Sequence, residues 1–129
     1  MKFVKLTGWI LINVSQRQIL LAEQFVGQEF ATATNNQLYY WSRDAKNSNA
    51  EIDYLMISDE TIYPVEVKDG PSGKLRSLHL YRETYQPSWS VVFHAGQTGI
   101  LENEKIIFLP LYFAGSYARY GIKSVPATL

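Results

Sequence analysis

Asp53, Glu66 and Lys68 are the side chains of this 129-residue chain whose types and spacing can do chemistry together. They lie in a run that reads as a hairpin: Glu51 to Ile57, a turn from Ser58 to Thr61, then Ile62 to Lys68. Both arms alternate at period two. Glu51, Asp53, Leu55 and Ile57 share one face of the first arm, and Pro64, Glu66 and Lys68 share one face of the second. The opposite faces carry Ile52, Tyr54 and Met56, and Tyr63, Val65 and Val67. A turn centred on Asp59-Glu60 makes the numbers of paired residues sum to 119, which sets Asp53 against Glu66 and Glu51 against Lys68. Directly opposed residues of an antiparallel pair have Cβ atoms roughly 4.5 to 5.5 Å apart. Two carboxylates that close repel, and one pKa is forced upward, unless they share a cation. An acid pair with a lysine on the same strand face therefore points to a metal site.

The surrounding chain supplies elements to position these groups. The segment from Lys2 to Val14 reads as a short strand or cap. Ser15 can N-cap a helix running to about Ala31, with Ile19, Ala22, Val26 and Phe30 as its apolar stripe. Glu23 and Glu29 flank that stripe on opposite edges, and either carboxylate can lean over the end of a sheet the helix packs on. Thr32 to Gln37 reads as a loop and Leu38-Tyr39-Tyr40-Trp41 as an aromatic strand. After the hairpin, Asp69 to Gly73 breaks the strand. A second helix then runs from about residue 72 to Tyr85, with Leu75, Leu78, Tyr81 and Tyr85 on one side, and Pro87 ends it. Trp89 to His94 is a buried-strand candidate, Gly96 to Gly99 a turn, Ile106 to Leu109 a last strand, and Leu111 to Tyr120 a closing helix. Lys123 to Leu129 reads as a frayed tail. Helix, three strands, helix, strand implies an α/β sandwich with a mixed sheet, an antiparallel hairpin followed by a crossover helix to a parallel strand.

Composition bounds what such a fold can do. With 47% hydrophobic and 14% aromatic residues, the chain is expected to form one domain over residues 1–129, its core spanning about 15–114. A formal net charge of +0 gives no global field for nucleic acid, so any such binding must use a local patch. The absence of cysteine excludes disulfides, thiolate metal sites and cysteine nucleophiles, and leans the chain to the cytoplasm. The apolar run from Trp9 to Ile12 is too short for a secretion signal or a membrane span, so no membrane partner is expected.

Asp53, twelve residues, then Glu66-Val67-Lys68, preceded by a helix bearing Glu23, resembles the PD-(D/E)XK nuclease superfamily, the restriction-endonuclease-like fold. More narrowly, the order Glu23, Gln28-Glu29-Phe30, Leu38-Tyr39-Tyr40-Trp41, Ala50-Glu51-Ile52-Asp53-Tyr54, Pro64-Val65-Glu66-Val67-Lys68, Gly73-Lys74-Leu75-Arg76-Ser77-Leu78 and Leu109-Pro110-Leu111-Tyr112 is similar to a nuclease-like domain of unknown function. That domain is found at the C-terminus of bacterial and archaeal AAA-type ATPases.

The resemblance implies a restriction-endonuclease-like sandwich with an αβββαβ core, and a Mg²⁺- or Mn²⁺-dependent phosphodiesterase acting on DNA. In such a site Asp53, Glu66 and Glu23 hold the metal, while Lys68 positions or activates water. Glu29 and Glu51 are the next residues to consider. A phosphate-binding Gly-x-x-x-x-Gly-Lys-[Ser/Thr] motif does not occur, since Gly70 to Leu75 is too short and lacks the hydroxyl. The alternative is a non-catalytic, nuclease-fold interaction or regulatory module that serves an AAA-type ATPase partner or a homodimer. His79 and His94 read as solvated or hydrogen-bonded side chains, and Lys74, Arg76 and Arg82 as a mixed helix face. Tyr39, Tyr40 and Trp41 read as core.

Overall fold

The computed structural model describes residues 3–7, 21–43, 49–68 and 75–124. Its centre is a seven-stranded mixed sheet in the order β1-β2-β3-β4-β5-β7-β6. Strands β1 (Phe3–Thr7), β2 (Gln37–Arg43), β3 (Ala50–Ser58) and β4 (Thr61–Val67) are antiparallel neighbours. Strands β5 (Ser90–His94) and β7 (Ile106–Pro110) continue the sheet parallel to β4, and β6 (Gly99–Leu101) closes it antiparallel to β7. Helix α2 (Arg76–Tyr85) is the crossover between β4 and β5. Helices α1 (Leu21–Ala33) and α3 (Ala114–Tyr120) pack on each other. The expected αβββαβ order is present as α1, β2, β3, β4, α2 and β5.

The core lies in two layers. On the α1 and α3 side, Val26, Phe30, Tyr54, Met56, Val65, Val67, Phe93, Leu109 and Tyr117 are buried together. Phe30 is the hub of this layer, its ring 5.5 Å from that of Tyr54 and 6.0 Å from those of Phe93 and Tyr117. Such contacts each contribute about 0.5–1.5 kcal/mol beyond the area they bury. On the α2 side, Leu78 and Tyr81 pack with Trp41, Ile52, Leu55 and Val92, and the Trp41 and Tyr81 rings meet edge to face at 5.3 Å. Because β5 is covered on both faces, it reads as the unbroken run Ser90-Val91-Val92-Phe93 and not as an alternation.

Turn chemistry fixes the joints. After α1, the amide of Asn36 donates to the Ala31 carbonyl at 2.8 Å, and Asn35 and Asn36 take positive φ of 55° and 63°. Asparagine tolerates that region better than most residues, so the helix turns straight into β2. The hairpin loop is the pair Asp59-Glu60 with φ of 49° and 63°, the left-handed pair whose twist matches the flanking strands. Gln86 closes α2 in the same way, at φ 48°, with its amide on the Arg82 carbonyl at 2.9 Å. Pro64 stands inside a central strand, where a missing amide is usually costly. Here the β5 ladder begins only at Val65, so no β5 residue pairs with Pro64.

Several expectations change. The strict alternation along the first hairpin arm fails: Ile52 packs with Leu55 on the α2 side, while Tyr54 and Met56 face α1. The cause is a β-bulge. Tyr39 pairs with Leu55 but Trp41 pairs with Ile52, so β3 carries one extra residue across from Tyr40 and its phase flips between Ile52 and Tyr54. The short strand β6 was expected as a turn followed by unassigned chain. The closing helix begins as a 3₁₀ turn over Leu111–Phe113, and a second 3₁₀ turn, Gly121–Ser124, replaces the start of the expected tail. The Ser15 cap, Ile19 and the start of the second helix at residue 72 lie outside the described residues, as do residues 8–14 and 125–129.

Candidate metal-binding active site

The bulge puts Asp53 at the place where the hairpin ladder ends. From Ser58↔Thr61 to Tyr54↔Val65 the register follows the expected sum of 119. Beyond Tyr54 the side chains take over from the backbone. The Asp53 amide donates to Glu66 Oε1 at 3.1 Å, and the Val67 amide donates to Asp53 Oδ2 at 2.8 Å. Each carboxylate thus caps an amide next to the other, and the pair is clasped between the strands. On its far side β4 stays tied to the sheet, the Lys68 amide donating to the Phe93 carbonyl at 2.8 Å. The Lys68 Nζ stands 3.7 Å from Glu66 Oε2.

Burial dominates the electrostatics of the pair. Glu66 is 6% exposed, and this desolvation pushes its carboxyl up to about 7. The Asp53 amide and the Lys68 ammonium pull it back, while Glu23 and Glu51 add to the rise. Asp53 is held well above the ordinary carboxylate range by burial first, then by the charges of Glu66 and Glu23, against the Val67 amide. At neutral pH the two acids are therefore reluctant to be ionised together. A bound cation would relieve that reluctance.

Helix α1 brings Glu23 to the same end of the sheet. The Tyr54 hydroxyl donates to the Glu23 main-chain carbonyl at 2.9 Å, fixing the first turn of α1 beside the bulge. The phenol can reach the helix backbone because Gly27 lies beneath it; a Cβ there would collide with the Tyr54 oxygen. Glu29 is placed elsewhere, its carboxylate against Gly115 of α3. This separates the two helix glutamates that the apolar stripe left equivalent. Glu51 is exposed, and its amide is 3.3 Å from Ser77 Oγ, linking β3 to the start of α2. Among the described residues, no three His, Asp or Glu side chains are already gathered into a metal cage. Asp53 and Glu66 are joined, and Glu23 acts on both through its charge.

The other candidates behave as ordinary surface and core residues. His79 is 4.0 Å from Glu104 with both side chains exposed, and His94 is 2.7 Å from the Gln97 carbonyl. Arg82 donates to the Asn103 carbonyl at 2.8 Å. Trp41 is core, whereas Tyr39 and Tyr40 are only half-buried. Tyr54 and Gly27 were missed as site residues because Tyr54 read simply as the apolar face of a strand. Its neighbour Asp53 and the glycine one turn after Glu23 were the available signal.

A family model described as "Domain of unknown function (DUF4143)" matches residues 20–113. No curated protein matches the chain, and no solved structure does.

Proposed function

This chain belongs to the DUF4143 family, and from that premise we propose that it is a restriction-endonuclease-like, Mg²⁺-dependent phosphodiesterase that acts on DNA. The observation that carries the reading is the clasp itself: a buried glutamate and a half-buried aspartate, each accepting an amide beside the other, with an ammonium 3.7 Å from the glutamate. A desolvated acid pair with raised pKa values costs stability in the ionised form, and such tension collects at functional sites. The donor set fits a hard cation. Asp53 Oδ2 and Glu66 Oε1 are committed to amides, leaving Asp53 Oδ1 and, shared with the Lys68 ammonium 3.7 Å away, Glu66 Oε2 as the oxygens each can offer. Mg²⁺ usually takes only one or two carboxylates plus waters and phosphate oxygens, so two suffice.

When bound, the ion would neutralise phosphate charge and lower the pKa of an attacking water. The chain's own groups do the rest. Asp53 and Glu66 would hold the ion in the clasp, and their hydrogen bonds to backbone amides keep both carboxylates from swinging away. Lys68, a quarter exposed, holds an ammonium at the mouth, where it orients water or steadies charge building on the phosphate. Glu23 adds a third carboxylate from the helix. A second reading, a docking module for an AAA-type ATPase, draws on Leu21 (83% exposed), Phe25 (41%) and Tyr112 (75%), large apolar side chains left open.

The test has two stages. Calorimetric titration with Mn²⁺ should detect binding that Asp53→Ala abolishes. Plasmid and single-stranded DNA incubated with Mn²⁺ should then be cut by the wild type and not by Lys68→Ala. Absence of Mn²⁺ binding at millimolar concentration overturns the reading.

A further inference from the structure

We propose that Tyr54 is a positioning residue for the third carboxylate: its hydroxyl, lying over Gly27, locks the first turn of α1 and so keeps Glu23 at the end of the sheet that carries the Asp53–Glu66 clasp. The inference rests on the metal-site reading above and adds to it the device that would complete the ligand set. Asp53 and Glu66 are held to each other by carboxylate-to-amide bonds within one hairpin. Glu23 comes from a separate helix. Its placement depends on how α1 is fastened, and one link between that turn and the hairpin is the 2.9 Å bond from the Tyr54 hydroxyl to the Glu23 carbonyl.

Three features make this bond specific. Tyr54 follows Asp53 in the bulge, so the residue that aims the clasp acid and the residue that fastens the helix move as one unit. The Tyr54 ring is 4% exposed and packs edge to face on Phe30, 5.5 Å away, which fixes the direction of its hydroxyl. The Glu23 carbonyl lies one helical turn before Gly27, and only a residue without a Cβ at 27 lets a phenol approach that carbonyl. The glycine is buried in mid-helix, where it costs about 0.5–1 kcal/mol relative to alanine. A clearance for Tyr54 is a physical reason to keep it.

The experiment uses the full chain and Mn²⁺ alone. Tyr54→Phe keeps the ring and removes the hydroxyl. It should weaken Mn²⁺ binding about ten-fold, the scale on which partners behind metal ligands act, and should speed amide exchange in the first turn of α1 while α2 is unchanged. Gly27→Ala, which displaces the phenol, should reproduce the Mn²⁺ effect, and the double variant should be no weaker than the worse single one. Glu23→Gln in the Tyr54→Phe background should add little, because the carboxylate has already lost its place. Wild-type Mn²⁺ affinity in Tyr54→Phe overturns the positioning role and leaves the metal site standing. Absence of Mn²⁺ binding by the wild type overturns both. Weakened binding with unchanged exchange in α1 also overturns it, since the effect would then not pass through the helix.

Discussion

The β3–β4 hairpin has two ends built on opposite terms. At the turn, backbone pairs backbone from Ser58↔Thr61 up to Tyr54↔Val65, and the charged Asp59 and Glu60 stand in solvent. The Asp59 carboxylate is 3.8 Å from Lys123 Nζ with both side chains over 80% exposed. At the other end carboxylates replace backbone carbonyls as acceptors, Glu66 is buried and Asp53 half-buried, and desolvation raises both. The same residue types thus do different things twenty ångströms or so along one ladder, at about 3.4 Å per residue. Charge at the turn is solvated and interchangeable; charge at the clasp is desolvated and fixed. The difference teaches that solvent access, and not residue type, sets the two ends apart and singles out the clasp as the candidate site.

That contrast can be broken from the clasp side first. Asp53→Ala or Glu66→Ala should abolish Mn²⁺ binding and cut DNA cleavage by at least about a hundred-fold, a loss of some 2.7 kcal/mol of barrier lowering, read by calorimetry and gel assay. Lys68→Ala should lose cleavage but retain Mn²⁺ binding. Retained cleavage in all three variants would place the activity in a contaminant.

The next largest effect is on stability. Glu66 titrates near 7 in the folded chain and near 4.5 when free, so between those values the native state keeps a proton that the unfolded state releases. Stability from this group is full below about pH 4.5 and is lost as pH rises through 7. Glu66→Gln, which keeps an acceptor for the Asp53 amide, should therefore stabilise the chain by on the order of 2–3 kcal/mol at pH 8. At pH 4 it should change almost nothing. Chemical denaturation at the two pH values checks the sign, and equal effects would deny that the cost is one of ionisation.

The turn end should respond weakly and without consequence for the clasp. Replacing Asp59-Glu60 by Asn-Gly should stabilise the hairpin by about 0.5–1 kcal/mol, because that pair accepts two positive φ values more easily. Smallest of all, Lys123→Ala should shift stability by less than about 0.5 kcal/mol, as exposed ion pairs do. Neither change should alter Mn²⁺ affinity. If either does, the two ends are not independent.

Much of this was legible in the sequence, and the exceptions share a cause. The pairing of Asp53 with Glu66 followed from period-two alternation and one turn, both local. Helix faces were legible for the same reason: Val26 with Phe30, and Leu78 with Tyr81, repeat at helical spacing and are buried together in their layers. The bulge was not, because Ile52-Asp53-Tyr54 alternates as well as any regular strand, and the extra residue is defined only against Tyr39 and Trp41 on β2. Nor could periodicity separate Glu23 from Glu29; that required knowing that α3 packs where Glu29 lies. The strand β6 is three residues long, too short for any alternation to declare itself.

The parallel run β4, β5, β7 carries one more consequence. Its register levels Val67 with Phe93 and Phe93 with Leu109, so the chain leaving β5 at residues 95–98 and the 3₁₀ turn at Leu111–Phe113 emerge on the edge of the sheet that holds the clasp. Those segments can lengthen, shorten or change chemistry without disturbing a hairpin that assembles its acids locally. Under the proposed function, selectivity and reaction would be inherited from different stretches of chain. Drift in one, over generations or in a library, leaves the other intact.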